Sequence, residues 1–176
     1  MGLKYVITGG PGSGKSTLIQ GLQRRGYRCS EEISRRLIIE EVAKGSDCLP
    51  WADVSCFSVK VLNEMINAWN YESNHSLTFF DRSIPDIIAY LEIAAIPVDP
   101  VYYQSLASHP YHSQAFILPP WPAIYVNDPE RWQTFEEASA IHGAISKTYT
   151  RCGFELIEVP GLPVEERIDF ILSFLK

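Results

Sequence analysis

Gly9-Gly-Pro-Gly-Ser-Gly-Lys-Ser-Thr17 is the stretch from which the fold can be read. It fits G-x-x-x-x-G-K-[ST], with Gly9, Gly14, Lys15 and Ser16 in the defining places. A short β-rich run over residues 3–8 leads in, and a proline-free run over 15–25 with helical character leads out. The context is strand, glycine loop, helix. Glycines let the backbone from Gly9 through Gly10, Pro11, Gly12, Ser13 and Gly14 turn its N–H groups toward phosphate oxygens, and the helix start behind adds unpaired donors of its own. Lys15 brings positive charge to the outer phosphates, Ser16 a hydroxyl for Mg²⁺, and Thr17 caps or packs the first turn. The expected ligand is the triphosphate of a nucleotide, ATP with Mg²⁺.

The rest of the chain alternates. Strands are expected near 27–30, 77–80, 115–118 and 154–159, and helices near 32–43, 53–71, 85–95, 99–108, 135–152 and 164–175. Val54, Phe57, Val61, Leu62, Met65, Ile66 and Trp69 recur at close to the helical period, and are read as core. Such alternation predicts a parallel sheet with helices on both faces and right-handed crossovers, an α/β fold. With 176 residues, 46% of them hydrophobic, the chain suits one domain spanning 1–176, with a lid segment at about 120–137.

A net charge of −6 argues against broad capture of nucleic acid or of an anionic membrane. No apolar run approaches the roughly 20 residues of a membrane span, and the position that an N-myristoylation start would fill with Ser or Thr is Val6. Cys29, Cys48, Cys56 and Cys152 lack metal-ligand spacing and are expected to be reduced thiols in a cytoplasmic protein. His109 and His112 have no third ligand nearby, and no Gly-x-Ser-x-Gly elbow supports hydrolase chemistry.

Ligands of open parallel sheets collect at the carboxyl ends of the strands, so the polar residues there are the informative ones. After the second strand come Glu31, Glu32, Arg35 and Arg36; after the third, Asp81 and Arg82; after the fourth, Asp128, Glu130 and Arg131. Asp81 ends an apolar strand, where a carboxylate needs a cation: Mg²⁺, Lys15 or Arg82. Glu32 and Arg35, three apart on one helix, form either a surface ion pair or an acceptor-side pair that takes a hydroxyl proton and bridges phosphates. Asp86 and Tyr90 share a helix face toward the substrate side, and Arg131 is a candidate lid arginine.

The glycine loop, Glu32-Ile-Ser-Arg35, Phe80-Asp-Arg-Ser-Ile-Pro-Asp86-Ile-Ile-Ala-Tyr90 and the Arg131 to Tyr149 stretch together resemble the small single-domain ATPases grouped as AAA-type, themselves similar in architecture to nicotinamide-riboside and deoxynucleoside kinases. That resemblance implies a kinase-like P-loop NTPase fold, a three-layer α/β/α sandwich with sheet order 2-3-1-4-5. It places Glu32 and Arg35 at the acceptor side, Asp81 near the metal and Arg131 in the lid. Ser83 stands where the group often has Gly, which puts the local turn in question.

Three functions compete. A small-molecule kinase would use Lys15, Glu32, Arg35 and Arg131 for transfer, with Asp81, Arg82, Asp86 and Tyr90 toward the acceptor. A nucleotide-gated module would present residues 102–122 to a protein partner. A GTP-binding protein lacks support, since no Asn-Lys-x-Asp element follows strand four; the base is expected against residues 159–162.

Overall fold

The structure is a computed structural model describing residues 2–72, 77–122 and 134–175. Five strands, β1 (Leu3–Gly9), β2 (Arg28–Cys29), β3 (Leu77–Asp81), β4 (Gln114–Leu118) and β5 (Glu155–Glu158), form one parallel sheet in the order β2-β3-β1-β4-β5. Seven helices accompany them among the described residues: α1 (Lys15–Arg24), α2 (Ile33–Ala43), α3 (Val54–Tyr71), α4 (Ile84–Ile93), α5 (Pro100–Ser108), α6 (Phe135–Arg151) and α7 (Val164–Leu172).

Strand β1 is buried at every position after Leu3, as a central strand covered on both faces must be. Its alternate side chains feed separate cores. Tyr5 and Ile7 pack with Leu18 and Leu22 of α1 and Ile168 and Ile171 of α7. Val6 faces Ala89 of α4 and Ile145 and Tyr149 of α6. A further apolar cluster joins α2, α3, α4 and α5 through Leu37, Phe57, Met65, Ile88 and Tyr102. The expected helical core face of α3 is borne out, and the three-layer arrangement with sheet order 2-3-1-4-5 is observed.

Strand β2 is shorter than the expected 27–30, because only two residues pair regularly at this sheet edge. The chain nonetheless stays beside β3: Ser30 N–H donates to the Phe79 carbonyl at 2.8 Å, and Asp81 N–H donates to Ser30 Oγ at 2.9 Å. Within residues 102–122, Tyr102 and the whole of Ala115 to Leu118 are buried, while Tyr103 and several residues between it and β4 are exposed.

The expectation of four reduced thiols is corrected. Cys48 and Cys56 are joined by a disulfide, with Cα atoms 5.3 Å apart. The reason is the helix start between them. Asp53 caps α3 by accepting the Cys56 N–H at 2.9 Å, and the loop folds the buried Cys48 back onto that first turn. A spacing of eight is wrong for a metal pair and right for this closed turn. The pairing removes one support for the cytoplasmic expectation, because disulfides persist mainly in oxidising compartments. Cys29 and Cys152 remain free, and burial pushes the Cys29 thiol up to about 12 and raises Cys152 as well. Among the described residues, no helix is long and apolar enough to cross a membrane.

Helix α2 is fastened to α3 through Glu41, which is 1% exposed and accepts from Lys60 Nζ at 2.6 Å and Lys44 Nζ at 3.0 Å. Those bonds, Lys60 first, hold its carboxyl well below the ordinary 4.5, at about 2. A depressed acid stabilises the fold above its unfolded pKa and loses that contribution as pH falls through the folded value. Glu41→Gln is therefore expected to lower the urea midpoint at pH 7, with the gap to the parent closing between pH 4.5 and about 2. A gap independent of pH would show that the charge is not what matters.

Candidate nucleotide and acceptor site

The glycine loop leaves the carboxyl end of β1 and enters α1. Gly14, at φ 82°, is the N-cap of α1 in a left-handed conformation that L side chains rarely adopt, and no side chain caps the helix. The first helical bond is Leu18 N–H to Gly14 O at 3.2 Å, so the N–H groups of Lys15, Ser16 and Thr17 precede the intrahelical ladder. Gly9 answers a different constraint. A Cβ there would lie 2.6 Å from the Leu118 carbonyl oxygen, so only glycine lets the loop pass this close to β4.

Lys15 is 6% exposed, and its ammonium lies 3.8 Å from Asp81 Oδ1. Burial lowers the Lys15 pKa, and the Arg82 charge adds to that; Asp81, Glu32 and Asp86 pull the other way. Burial raises Asp81, with Lys15 and Arg82 opposing. Asp81 Oδ1 is buried without a hydrogen-bond partner. It is a carboxylate oxygen desolvated at the edge of the loop, and a hard cation is the partner such an atom fits. Ser16, in the first turn of α1, supplies a second hard oxygen. The donor set suits Mg²⁺, which takes one or two protein oxygens and leaves the rest to phosphates and water.

Arg82 follows in a left-handed turn at φ 71°, and its N–H donates to the Ile7 carbonyl at 3.0 Å. This settles the turn at Ser83: the positive φ falls one residue earlier, and Ser83 itself is extended and caps α4. Asp86 is 2% exposed and accepts from Thr8 Oγ1 at 2.6 Å, Arg82 Nη1 at 3.0 Å, the Ser83 N–H at 3.0 Å and the Tyr149 hydroxyl. Both carboxylate oxygens are thereby engaged within the protein. Burial, reinforced by Asp86, pushes the Tyr149 phenol well above its ordinary value, so it stays a donor. Burial works against the Arg82 charge, but Tyr90, Asp86, Asp81 and Glu32 outweigh it and raise its pKa. The guanidinium lies over the Tyr90 ring, 5.9 Å from the centroid.

One cavity of about 900 Å³ runs from the loop residues Gly10 to Thr17 past Glu32, Arg35, Arg82, Asp86 and Tyr90. Glu32 and Arg35 form an ion pair at 3.4 Å and both line that cavity, so they are an i,i+3 pair and a site feature at once. Glu31 is 82% exposed and pairs outward with Arg36. Asp128, Glu130 and Arg131 lie outside the described residues, as does most of the expected lid; its end is visible where Thr134 caps α6, with its N–H donating to Glu137 at 2.6 Å. His109 Nδ1–H donates to the Ser105 carbonyl at 2.8 Å, and the His112 ring lies 4.2 Å from the Tyr5 ring, centroid to centroid.

The sequence reading passed over Arg167. This α7 residue is 4% exposed, donates to the Ser13 carbonyl of the loop at 3.3 Å and lies 5.7 Å from the centre of the Trp121 ring. Burial lowers its pKa, and no carboxylate is paired with it among the described residues. The available signal was an arginine between Val164 and Ile168 on an otherwise apolar helix face, but only tertiary packing of α7 against α1 brings it to the loop.

A parallel sheet in this order, with a G-x-x-x-x-G-K-[ST] loop between β1 and α1, defines a P-loop NTPase of the kinase-like kind. The chain belongs to the family described as an AAA domain, matched over residues 4–167. No curated protein matches it. Among solved structures it is similar to NadR protein in complex with NR, at 18% identity and TM-score 0.76, covering 98% of this chain and 51% of that one. NadR protein in complex with NAD and AMP-PNP is similar at 16% identity and TM-score 0.73, with 98% and 49% covered. The chain thus spans about half the length of those NadR chains. Deoxyadenosine kinase from M. mycoides, with products dCMP and a flexible dCDP bound, is similar at 16% identity and TM-score 0.66, with 98% of each chain covered.

Proposed function

We propose that this protein is a small-molecule kinase that moves the γ-phosphoryl group of ATP to a hydroxyl. The observation carrying the proposal is the single cavity that joins the glycine loop to the Glu32 and Arg35 side. A nucleotide site alone needs no second compartment continuous with the outer phosphates. In this reading the N–H groups of residues 10–17 bind the phosphates, Lys15 holds the γ-phosphate, and Ser16 and Asp81 hold Mg²⁺, which supplies charge neutralisation when bound. Glu32 orients the acceptor hydroxyl and takes its proton. Arg35, with Arg131 closing from the lid, stabilises charge on the transferring group, while Arg82 and Tyr90 border the acceptor. Arg167 and Trp121 border the nucleotide end, beside residues 159–162 where the base is expected. Transfer of this kind depends on positioning and charge more than on covalent chemistry, which these residues provide. Kinase-like solved relatives with bound nucleotides are consistent with this reading.

Glu32→Gln tests the proton role. Its kcat is expected to fall by about 10²–10⁴-fold while the KM for ATP stays within about two-fold. An unchanged kcat would remove Glu32 from the chemistry.

A further inference from the structure

Resting on that kinase reading, we propose that the acceptor is a hydrophobic alcohol, one hydroxyl on an isoprenoid or aromatic body, and neither a nucleoside nor a sugar. The cavity is polarised along its length. Its hydrogen-bonding side chains gather at the loop end, where Glu32 and Arg82 act on the charge of Lys15. Beyond them the wall is Ile38 of α2, Val54, Phe57, Val61 and Met65 of α3, and Ile87 of α4. The four α3 residues fall on one face and span about 16 Å of helix, enough to flank a ten-carbon chain.

Few polar groups stand beside that part of the wall: Ser58 is buried, and Arg82 is held by Asp86 and lies over Tyr90. A base or sugar entering there would lose its water and find few partners, and each unpaired group would cost about five- to hundred-fold in affinity. An apolar body loses nothing and gains burial.

The mouth repeats the pattern. Ile39 and Ile93 are 63% and 48% exposed, and both line this same cavity, as does Trp51. Large apolar side chains exposed around one opening are what a ligand with an apolar body would cover. Trp51 sits in the loop closed by the Cys48–Cys56 disulfide, which fixes that loop to the start of α3. In the reaction, the alcohol oxygen bonds to the γ-phosphorus as the bond to the β–γ bridging oxygen breaks. ADP departs, and the hydroxyl proton passes to Glu32 and then to water.

The test is transfer of label from γ-labelled ATP·Mg²⁺ to geraniol and 3-phenylpropanol on one side and to adenosine, cytidine and glucose on the other, with binding of a non-hydrolysable ATP analogue measured in parallel. The alcohols are expected to exceed the polar acceptors in kcat/KM by at least about ten-fold. Met65→Gln and, at the exposed rim where folding is not at stake, Ile93→Gln are each expected to lower alcohol transfer by about five- to ten-fold, with analogue affinity within about two-fold of the parent. Preference for nucleosides or glucose would overturn this inference and leave the kinase reading standing. Label on no acceptor, with the analogue still bound, would overturn both. Alcohol transfer untouched by both substitutions would overturn the placement of the acceptor in this cavity.

Discussion

Lys15→Ala is expected to reduce ATP turnover by about a thousand-fold, the effect of removing a preorganised positive group from the place where phosphoryl charge develops. Lys15 is nearly buried at the end of the glycine loop, and its ammonium already faces an oxygen, Asp81 Oδ1 at 3.8 Å. Alanine cannot replace that charge, and the aligned N–H groups of the loop cannot follow the γ-phosphate as it moves. The fold should survive the change. Asp81 is pushed toward its neutral form by burial, and Arg82 remains close enough to act on it. Steady-state kinetics beside circular dichroism will separate the two effects, and a turnover within ten-fold of the parent would refute the assigned role.

Asp86→Ala is expected to be the most destabilising substitution near the site, at about 3–5 kcal/mol, because it strands a charge that is otherwise paired. Four donors converge on this carboxylate from β1, the turn before α4, the cap of α4 and α6. Removing it leaves the Arg82 guanidinium, whose side chain is 11% exposed, without its ion-pair partner. Tyr149 keeps a bond to Ser83 Oγ at 2.8 Å, but Thr8 Oγ1 loses its acceptor. A fall in Tm on the order of 10 °C should follow for a chain of this size. Asp86→Asn, which keeps two acceptor sites and loses the charge, should fall between. A Tm within about 2 °C of the parent for the alanine variant would show that the network contributes little net stability.

These two residues also mark how far the sequence carried the interpretation. The place of Lys15 was legible because its setting is local: nine consecutive residues, a strand before and a helix after, give the loop and the role proposed for it. The sheet order followed from the resemblance, and the layers from alternation, because β1, β3 and β4 are apolar on both faces while the helices carry a 3.6-residue period. Asp86 was read as facing substrate because helix spacing put it beside Tyr90. It lines the cavity with Tyr90, but its hydrogen-bond partners Thr8 and Tyr149 lie 78 and 63 residues away, which no periodicity reveals. Arg167 was passed over for the same reason, since its partner carbonyl is 154 residues distant. The Cys48–Cys56 bridge was missed because a spacing of eight was weighed as a metal motif and not as the two ends of a capped turn. Elements and loop chemistry are local properties; networks and cross-links belong to the packed chain.

The account turns on whether phosphate is transferred or merely released. Quench-flow or coupled measurement of ADP formation by the protein with ATP·Mg²⁺, with and without an acceptor drawn from a broad panel of alcohols, nucleosides, vitamins and sugars, addresses this most directly. The prediction is ADP formation that requires an acceptor, matches phosphorylated product one for one, and disappears in Lys15→Ala. ADP formed at the same rate whether or not any acceptor is present, or retained in Lys15→Ala, would contradict it.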